Sequence, residues 1–182
     1  MEFFKGAKGS WIWLVLRLYI GYEFLEAGWH KITGATPFDA SGFIKGGVAK
    51  IIPASNLTPE QLAKFKPITA EWWGQFLNNF ALPNAKLFSF MVQYGELLVG
   101  IALILGFASI FAASMAALMN FSFLMTGSTS SNPYLFALEF ILVAGGGAYV
   151  GYLGVDYWFR PWFRSKLGFL FDDAKAAAKS AA

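Results

Sequence analysis

The chain has no cysteine and a single histidine. The first absence excludes structural disulfides, thiolate metal sites, iron–sulfur clusters and thiol redox catalysis. The second excludes a haem held between two histidines, so neither haem nor a metal site is expected. Charge is scarce as well: Asp, Glu, Lys and Arg make up 14% of 182 residues, where a soluble domain carries about 25%. The net charge of +3 is spread over the flanks of apolar segments and forms no continuous basic stripe, so nucleic acid is not an expected partner. Apolar residues fill the chain instead, with 57% hydrophobic and 19% aromatic residues and a mean hydropathy of +0.50. That balance excludes a disordered tail and argues against a cytosolic domain.

A bilayer core about 30 Å thick needs a run of some 20 apolar residues per spanning helix. Four runs qualify, at about residues 11–32, 87–107, 109–126 and 134–153. The expected fold is all-α: an integral membrane four-helix bundle forming a single membrane domain over residues 1–182. Arg17, Glu23 and Glu26 interrupt the first run, so it reads as a retained helix rather than a cleaved signal peptide. The second and third runs meet at Gly106–Phe107–Ala108–Ser109, a tight helical hairpin. The third and fourth are joined by the turn-forming Gly127–Ser128–Thr129–Ser130–Ser131–Asn132–Pro133.

Four spans put both termini on one side. Lys5 and Lys8 before the first span and Arg160, Arg164 and Lys166 after the fourth mark that side as cytoplasmic, with the protein in the cell membrane. The long loop, residues 33–86, then lies outside as a lid, although its own lysines compete with that orientation. Two short amphipathic helices are expected within it. Thr58–Pro59–Glu60–Gln61 combines a capping threonine, a proline at the first helical position and a glutamine that completes a capping box, predicting a helix to about Phe65. From Thr69 to Phe80, Trp72, Trp73, Phe76, Leu77 and Phe80 form one stripe, as in a helix lying at an interface or capping a bundle. After the fourth span, residues 154–182 read as an interfacial tail. There Tyr157, Trp158, Phe159, Trp162 and Phe163 interleave with Arg160 and Arg164, and the end from Ala174 to Ala182 is frayed.

Ionisable groups inside a span are costly, at least about 2.5 kcal/mol each at mid-depth, so each calls for a partner, a cavity or a function. Arg17, Glu23, Glu26, His30 and Lys31 fall in the first span, Gln93 and Glu96 in the second, Asn120 in the third and Glu139 in the fourth. A rise of about 1.5 Å per residue sets Glu23 and Glu96 near the midplane and His30 and Lys31 close to the outer surface. Arg17 lies near the cytoplasmic end, within reach of Asp156 as an ion pair. A turn of about 100° per residue groups Glu23, Glu26 and His30 on one stripe and Arg17, Gly21, Phe24, Gly28 and Lys31 on another, roughly opposite. One stripe faces the bundle core and the other meets the lid, a second subunit or a bound molecule. Four carboxylates with few cations near them imply that some carry protons, the state in which a carboxyl relays them. Gly21, Gly28, Gly95, Gly100, Gly106 and Gly145–Gly146–Gly147 read as close helix contacts.

These residues resemble the DoxX family of small four-helix membrane proteins, which includes the DoxD-type subunit of thiosulfate:quinone oxidoreductase. The first span carries the family's pattern in RLYIGYEFLEAGWHKITG, through Arg17, Gly21, Phe24, Gly28, Lys31 and Gly34. The second carries GELLVGIALILGF, with Glu96, Gly100 and Gly106, and the last carries LEFILV and GYLGVD, with Glu139 and Asp156 at the acidic positions. Ala108 and Ser109 stand where many members have a basic residue, and the long aromatic loop replaces a short connection. The resemblance implies a membrane oxidoreductase subunit that passes electrons from a small sulfur anion such as thiosulfate, or from a partner, to a membrane quinone held as bound substrate. Glu23, Glu26, His30, Glu96 and Glu139 would supply protons. Arg17, Lys31, Trp72, Trp73, Gln93 and Asn120 would bind quinone or substrate, with Lys31 and Lys86 attracting the anion. Gly21, Gly28, Gly100 and Asp156 would be structural. With no cysteine, electrons must come directly from a small reductant or from a cofactor-bearing second subunit. Two other readings keep the same residues: a non-catalytic anchor of a redox complex, as a homo-oligomer or with a redox partner, and a small proton-coupled transporter.

Overall fold

The computed structural model describes residues 9–167. Lys5, Lys8 and the tail from Ala174 lie outside the described residues. Among the described residues the chain is helical throughout, with eight α-helices and no strand: α1 (Ser10–Thr33), α2 (Ser41–Ile51), α3 (Pro59–Lys64), α4 (Glu71–Phe76), α5 (Ala85–Leu105), α6 (Ser109–Met125), α7 (Asn132–Gly146) and α8 (Asp156–Leu167). α1 packs on α5 and α7, α6 packs on α7 and α5, and the four long helices thereby close a ring of contacts. Its interior is built from Trp13, Ile20, Phe24, Val99, Leu103, Ala112, Ala113, Ala116, Leu142 and Val150. By length and composition α5 is able to cross a membrane, whereas α6 and α7 are shorter apolar helices.

The α1–α5 contact depends on missing side chains. A Cβ at Gly28 would stand 2.5 Å from the Leu97 backbone nitrogen, and one at Gly100 would stand 2.5 Å from that of Leu25 and 2.8 Å from the Gly21 carbonyl. Backbone cannot yield as a side-chain tip can, so Gly28→Leu is expected to pry the two helices apart. The cost is about 3 kcal/mol or more, read as a lowered thermal midpoint in detergent with α-helical circular dichroism retained below it.

The fourth long helix is shorter than its apolar run. α7 ends at Gly146, followed by one 3-10 turn, Gly147–Tyr149, where a helix to about residue 153 is expected from hydropathy. Gly147 has φ +48°, a left-handed conformation that glycine adopts without a Cβ clash. Trp13 lies against Gly145 and Gly146. The chain that follows, Val150 to Leu153, is free to offer its carbonyls sideways.

The loop is more ordered than its composition suggests. The capping box is present, Gln61 N–H donating to Thr58 Oγ1 at 3.3 Å and Thr58 N–H to Gln61 Oε1 at 2.9 Å, although α3 itself buries nothing. α4 continues into a π-helical turn, Leu77–Ala81. Of the expected stripe, Leu77 is buried while Trp72 and Phe80 are exposed. α2 was not expected, because Gly42, Gly46 and Gly47 lower its helix propensity. Tertiary contact forms it: Ala40, Ile44, Ile51, Leu77 and Ala81 make a second core, and a Cβ at Gly47 would strike Thr126. This lid is fastened to the end of α6, Thr69 Oγ1 donating to the Met125 carbonyl at 2.9 Å and Trp73 Nε1 to Thr126 Oγ1 at 3.1 Å. The stretch expected as an interfacial tail begins as α8, exposing Tyr157, Trp158, Trp162 and Phe163.

Candidate functional site

The two stripes of α1 part company. Arg17, Gly21, Phe24 and Gly28 are buried, and Lys31, the next residue of that stripe, turns toward α5. Glu26 and His30 are exposed on the outside, 3.7 Å apart, and Glu23 is half-buried between the faces.

Lys31 Nζ donates to Glu96 Oε2 at 2.5 Å, with the Glu96 side chain 6% and the Lys31 side chain 25% exposed. Glu96 is the twelfth residue of α5, about 16 Å from its Ala85 end at about 1.5 Å per residue. Lys31 is therefore level with the middle of α5, because α1 stops beside the middle of that helix rather than at its end. From there residues 34–39 run without helix along α5, until Ala40 N–H donates to Ser89 Oγ at 2.9 Å. Non-helical backbone at this level of an apolar bundle is tolerated where it lines a cavity, and it lines two.

One groove, of about 330 Å³, lies among Lys31, Pro37, Phe38, Gln93 and Tyr94. The other, of about 480 Å³, lies among Ala27, His30, Lys31, Thr36, Phe38 and Asp39. The ammonium of Lys31 stands between them, 5.4 Å from the Phe38 ring centroid. An ammonium has three N–H donors, and the carboxylate of Glu96 takes one. The Ser41 hydroxyl and amide donate to Asp39 at 2.6 and 2.9 Å and hold its carboxyl below the usual aspartate range, with Lys45 adding a smaller pull. That contact is fully present above the ordinary aspartate pKa and is lost as pH falls through the lowered one. Protection of the Ser41 amide, its exchange relative to an unstructured amide at the same pH, is thus expected to persist into mild acid and to be lost only below the pKa of a free aspartate.

Glu139 and Asn120 form a separate pair. Asn120 Nδ2 donates to Glu139 Oε1 at 2.6 Å, both side chains fully enclosed, and Glu139 Oε2 has no hydrogen-bond partner among the described residues. At the opposite end of the bundle from the lid, Arg17 Nη2 donates to the Leu153 carbonyl at 3.0 Å, and Nη1 reaches the Val150 carbonyl and Ser109 Oγ at 3.4 and 3.5 Å. Asp156 accepts the Ala108 and Ser109 amides at 2.7 and 2.9 Å and Arg160 at 3.3 Å. The expected direct Arg17–Asp156 ion pair is therefore replaced by a junction in which both hold Ser109. The reason is helix chemistry: Asp156 satisfies amides at the start of α6, and Arg17 satisfies carbonyls freed beyond α7. Ala108, at φ +46°, is held in its left-handed conformation by the Asp156 bond.

The carboxylates thus do not gather. Glu96, Glu139 and the Glu26–His30 pair have separate partners, and no group of three metal-ligating side chains occurs among the described residues. Neither Trp72 nor Trp73 lines the grooves at Lys31: Trp73 stacks on Phe76 within the lid, centroids 5.1 Å apart. Lys86, exposed in the first turn of α5, stands about 15 Å along the helix from Glu96. Of the expected binding residues, Lys31 and Gln93 share a groove, whereas Asn120 and Arg17 are committed elsewhere. Phe38, Asp39 and Tyr94 were not expected; the aromatic–proline run Pro37–Phe38 at a helix end was their only signal.

The family model described as DoxX matches residues 12–128, over half of the chain, from α1 through α6. No curated protein and no solved structure matches.

Proposed function

The chain belongs to the DoxX family, and on that premise we propose that it is an integral membrane subunit of a quinone-dependent oxidoreductase, with the groove at Lys31 receiving the quinone head group. The membrane reading is supported by an inverted distribution of side chains. Val15, Leu98, Phe111 and Phe140, one on each long helix, are 64–66% exposed, while Arg17, Glu96, Asn120, Glu139 and Asp156 are at most 4% exposed. Water would penalise that arrangement and hydrocarbon favours it. In the proposed topology α1, α5, α6 and α7 cross the cell membrane, both termini are cytoplasmic and the lid is outside.

The observation that carries the quinone reading is Lys31, with two N–H donors left over beside Gln93, Tyr94 and Phe38, halfway along the helix best suited to spanning. An oxidised quinone offers carbonyl acceptors on an apolar ring, matching those donors and that ring-lined wall. Its reduction takes two electrons and two protons. Two thiosulfates joining as tetrathionate release two electrons, as does a redox partner, and the protons enter along the groove past Asp39 and Thr36 to Lys31 and Glu96. Solvent extraction of the detergent-purified protein is expected to yield near-stoichiometric quinone. A wild-type protein free of quinone that captures a soluble redox enzyme would favour the anchoring role instead, and solute flux in liposomes without electron transfer would favour transport.

A further inference from the structure

Among the described residues three acids are enclosed, and two of them meet cations: Glu96 meets Lys31 and Asp156 meets Arg160. Glu139, fully buried, meets only the neutral amide of Asn120, and its second oxygen has no hydrogen-bond partner among the described residues. It is the eighth of the 15 residues of α7 and faces the twelfth of the 17 in α6. Neither groove at Lys31 includes it. The elements packed around it bring no charge. α6 has no ionisable residue, and α7 has only Tyr134 besides Glu139, its hydroxyl 3.5 Å from that of Tyr19. On α1, which also packs on α7, Arg17 is taken by Val150, Leu153 and Ser109 and Lys31 by Glu96. Glu23 stands half-buried between the faces, and Glu26 and His30 are outside. No charged side chain of the described residues lies close enough to act on Glu139.

We propose that Glu139 keeps its proton while the bundle is closed and that losing it parts α6 from α7, which makes this contact a pH-sensitive lock. An ionised carboxylate held by one neutral donor in an apolar interior recovers little of the hydration it has lost. The neutral acid fits the same place: its carbonyl oxygen Oε1 accepts from Asn120 Nδ2, and the hydrogen on Oε2 leaves a hydroxyl unpaired instead of a charge, which is the smaller penalty. Ala113 and Ala116, fully buried, precede Asn120 on the inner side of α6, and Leu135 and Leu142 flank Glu139 on that of α7. The helices lie in close contact there, so a charge at Glu139 regains water only when they separate. A glutamine would make the same bond to Asn120 at either pH. What the acid adds is a proton that can leave. The lock does not depend on which ligand the groove at Lys31 takes.

Infrared spectra of the purified protein in lipid vesicles test the proton. At about pH 6, where a free glutamate of pKa about 4.3 is ionised, the carbonyl stretch of a protonated carboxyl is expected, and Glu139→Gln is expected to remove it. The absence of cysteine gives a clean probe of the lock. Leu135, one turn before Glu139, is buried, so Leu135→Cys reacts with N-ethylmaleimide only when the contact opens. Its labelling rate is divided by that of Leu135→Cys/Glu139→Gln at the same pH, which cancels the titration of the thiol itself. Between about pH 5 and 7 this ratio is expected to rise by up to about tenfold per pH unit, because the open state releases a proton that the closed state holds. Thermal midpoints carry the same test without the cysteine. The stability that the protonated acid confers is fully present where a free glutamate is protonated and is lost as the buried acid ionises, so wild type is expected to fall relative to Glu139→Gln as pH rises. A missing infrared band at about pH 6, or a band that survives Glu139→Gln, overturns the proton assignment. A labelling ratio independent of pH, or midpoints that run parallel with pH, overturns the lock.

Discussion

Replacing Lys31 with methionine is expected to empty the groove of quinone and also to destabilise the protein by about 3 kcal/mol, because Glu96 is left as an enclosed carboxylate without its cation. The two effects have different origins, and a second substitution separates them. In Lys31→Met/Glu96→Met the orphaned charge is gone and two apolar side chains of similar length fill the space, so stability is expected to return to within about 1 kcal/mol of wild type. Quinone retention is not expected to return, since the N–H donors are still missing. Lys31→Arg keeps a cation for Glu96 but carries a larger planar fork into the space beside Phe38, and is expected to retain stability better than quinone. Thermal midpoints and extracted quinone from the same four samples provide the comparison. If the double variant recovered both, Lys31 would be a brace between α1 and α5 with no ligand role.

Arg17→Ala is expected to be the most destabilising single substitution, at about 3–5 kcal/mol. The guanidinium is 1% exposed and donates to the carbonyls of Val150 and Leu153 and to Ser109. Each acceptor left unpaired and enclosed costs about 1–3 kcal/mol. Lysine is a poor substitute, because one ammonium cannot span carbonyls that the planar fork reaches together. Asp156→Asn probes the other half of the junction. Its two oxygens accept from two amides, and an asparagine presents an NH₂ to one of them, for a loss of about 1–3 kcal/mol. By contrast Lys64→Ala breaks only the exposed 4.0 Å contact with Glu60 and is expected to change stability by less than about 0.5 kcal/mol. A drop in thermal midpoint for Arg17→Ala no larger than that of Lys64→Ala would sink the junction as a determinant of the fold.

Local signals in the sequence were readable where the chemistry is local. The capping box at Thr58 and Gln61, the hairpin at Gly106 and the helices of the first and third apolar runs follow from neighbours within a turn, and the structure has them. α2 was hidden because its three glycines count against helix formation, and what stabilises it, contact with Leu77, Ala81 and Thr126, comes from far along the chain. The early end of α7 was hidden for the same reason: hydropathy runs on to Leu153, but the carbonyls there are claimed by Arg17, more than a hundred residues away. Two opposed stripes on α1 were legible; which one faces inward was not, because that depends on Gly28 and Gly100 letting the α5 backbone approach the Arg17 side. Counting along α1 alone does not set Lys31 beside the middle of α5, since it treats helices as starting and stopping level with one another. α1 ends halfway along α5, and that offset creates the groove.

A photoreactive short-chain quinone, activated on the purified protein and mapped by peptide mass spectrometry, tests the central claim most directly. The account predicts adducts on residues 31–38 and on Gln93 or Tyr94, competed away by unlabelled quinone and absent in Lys31→Met/Glu96→Met. Adducts confined to the apolar cleft of Leu98, Ile101, Leu105, Phe111 and Met115 between α5 and α6, or labelling indifferent to both competitor and substitution, would contradict it.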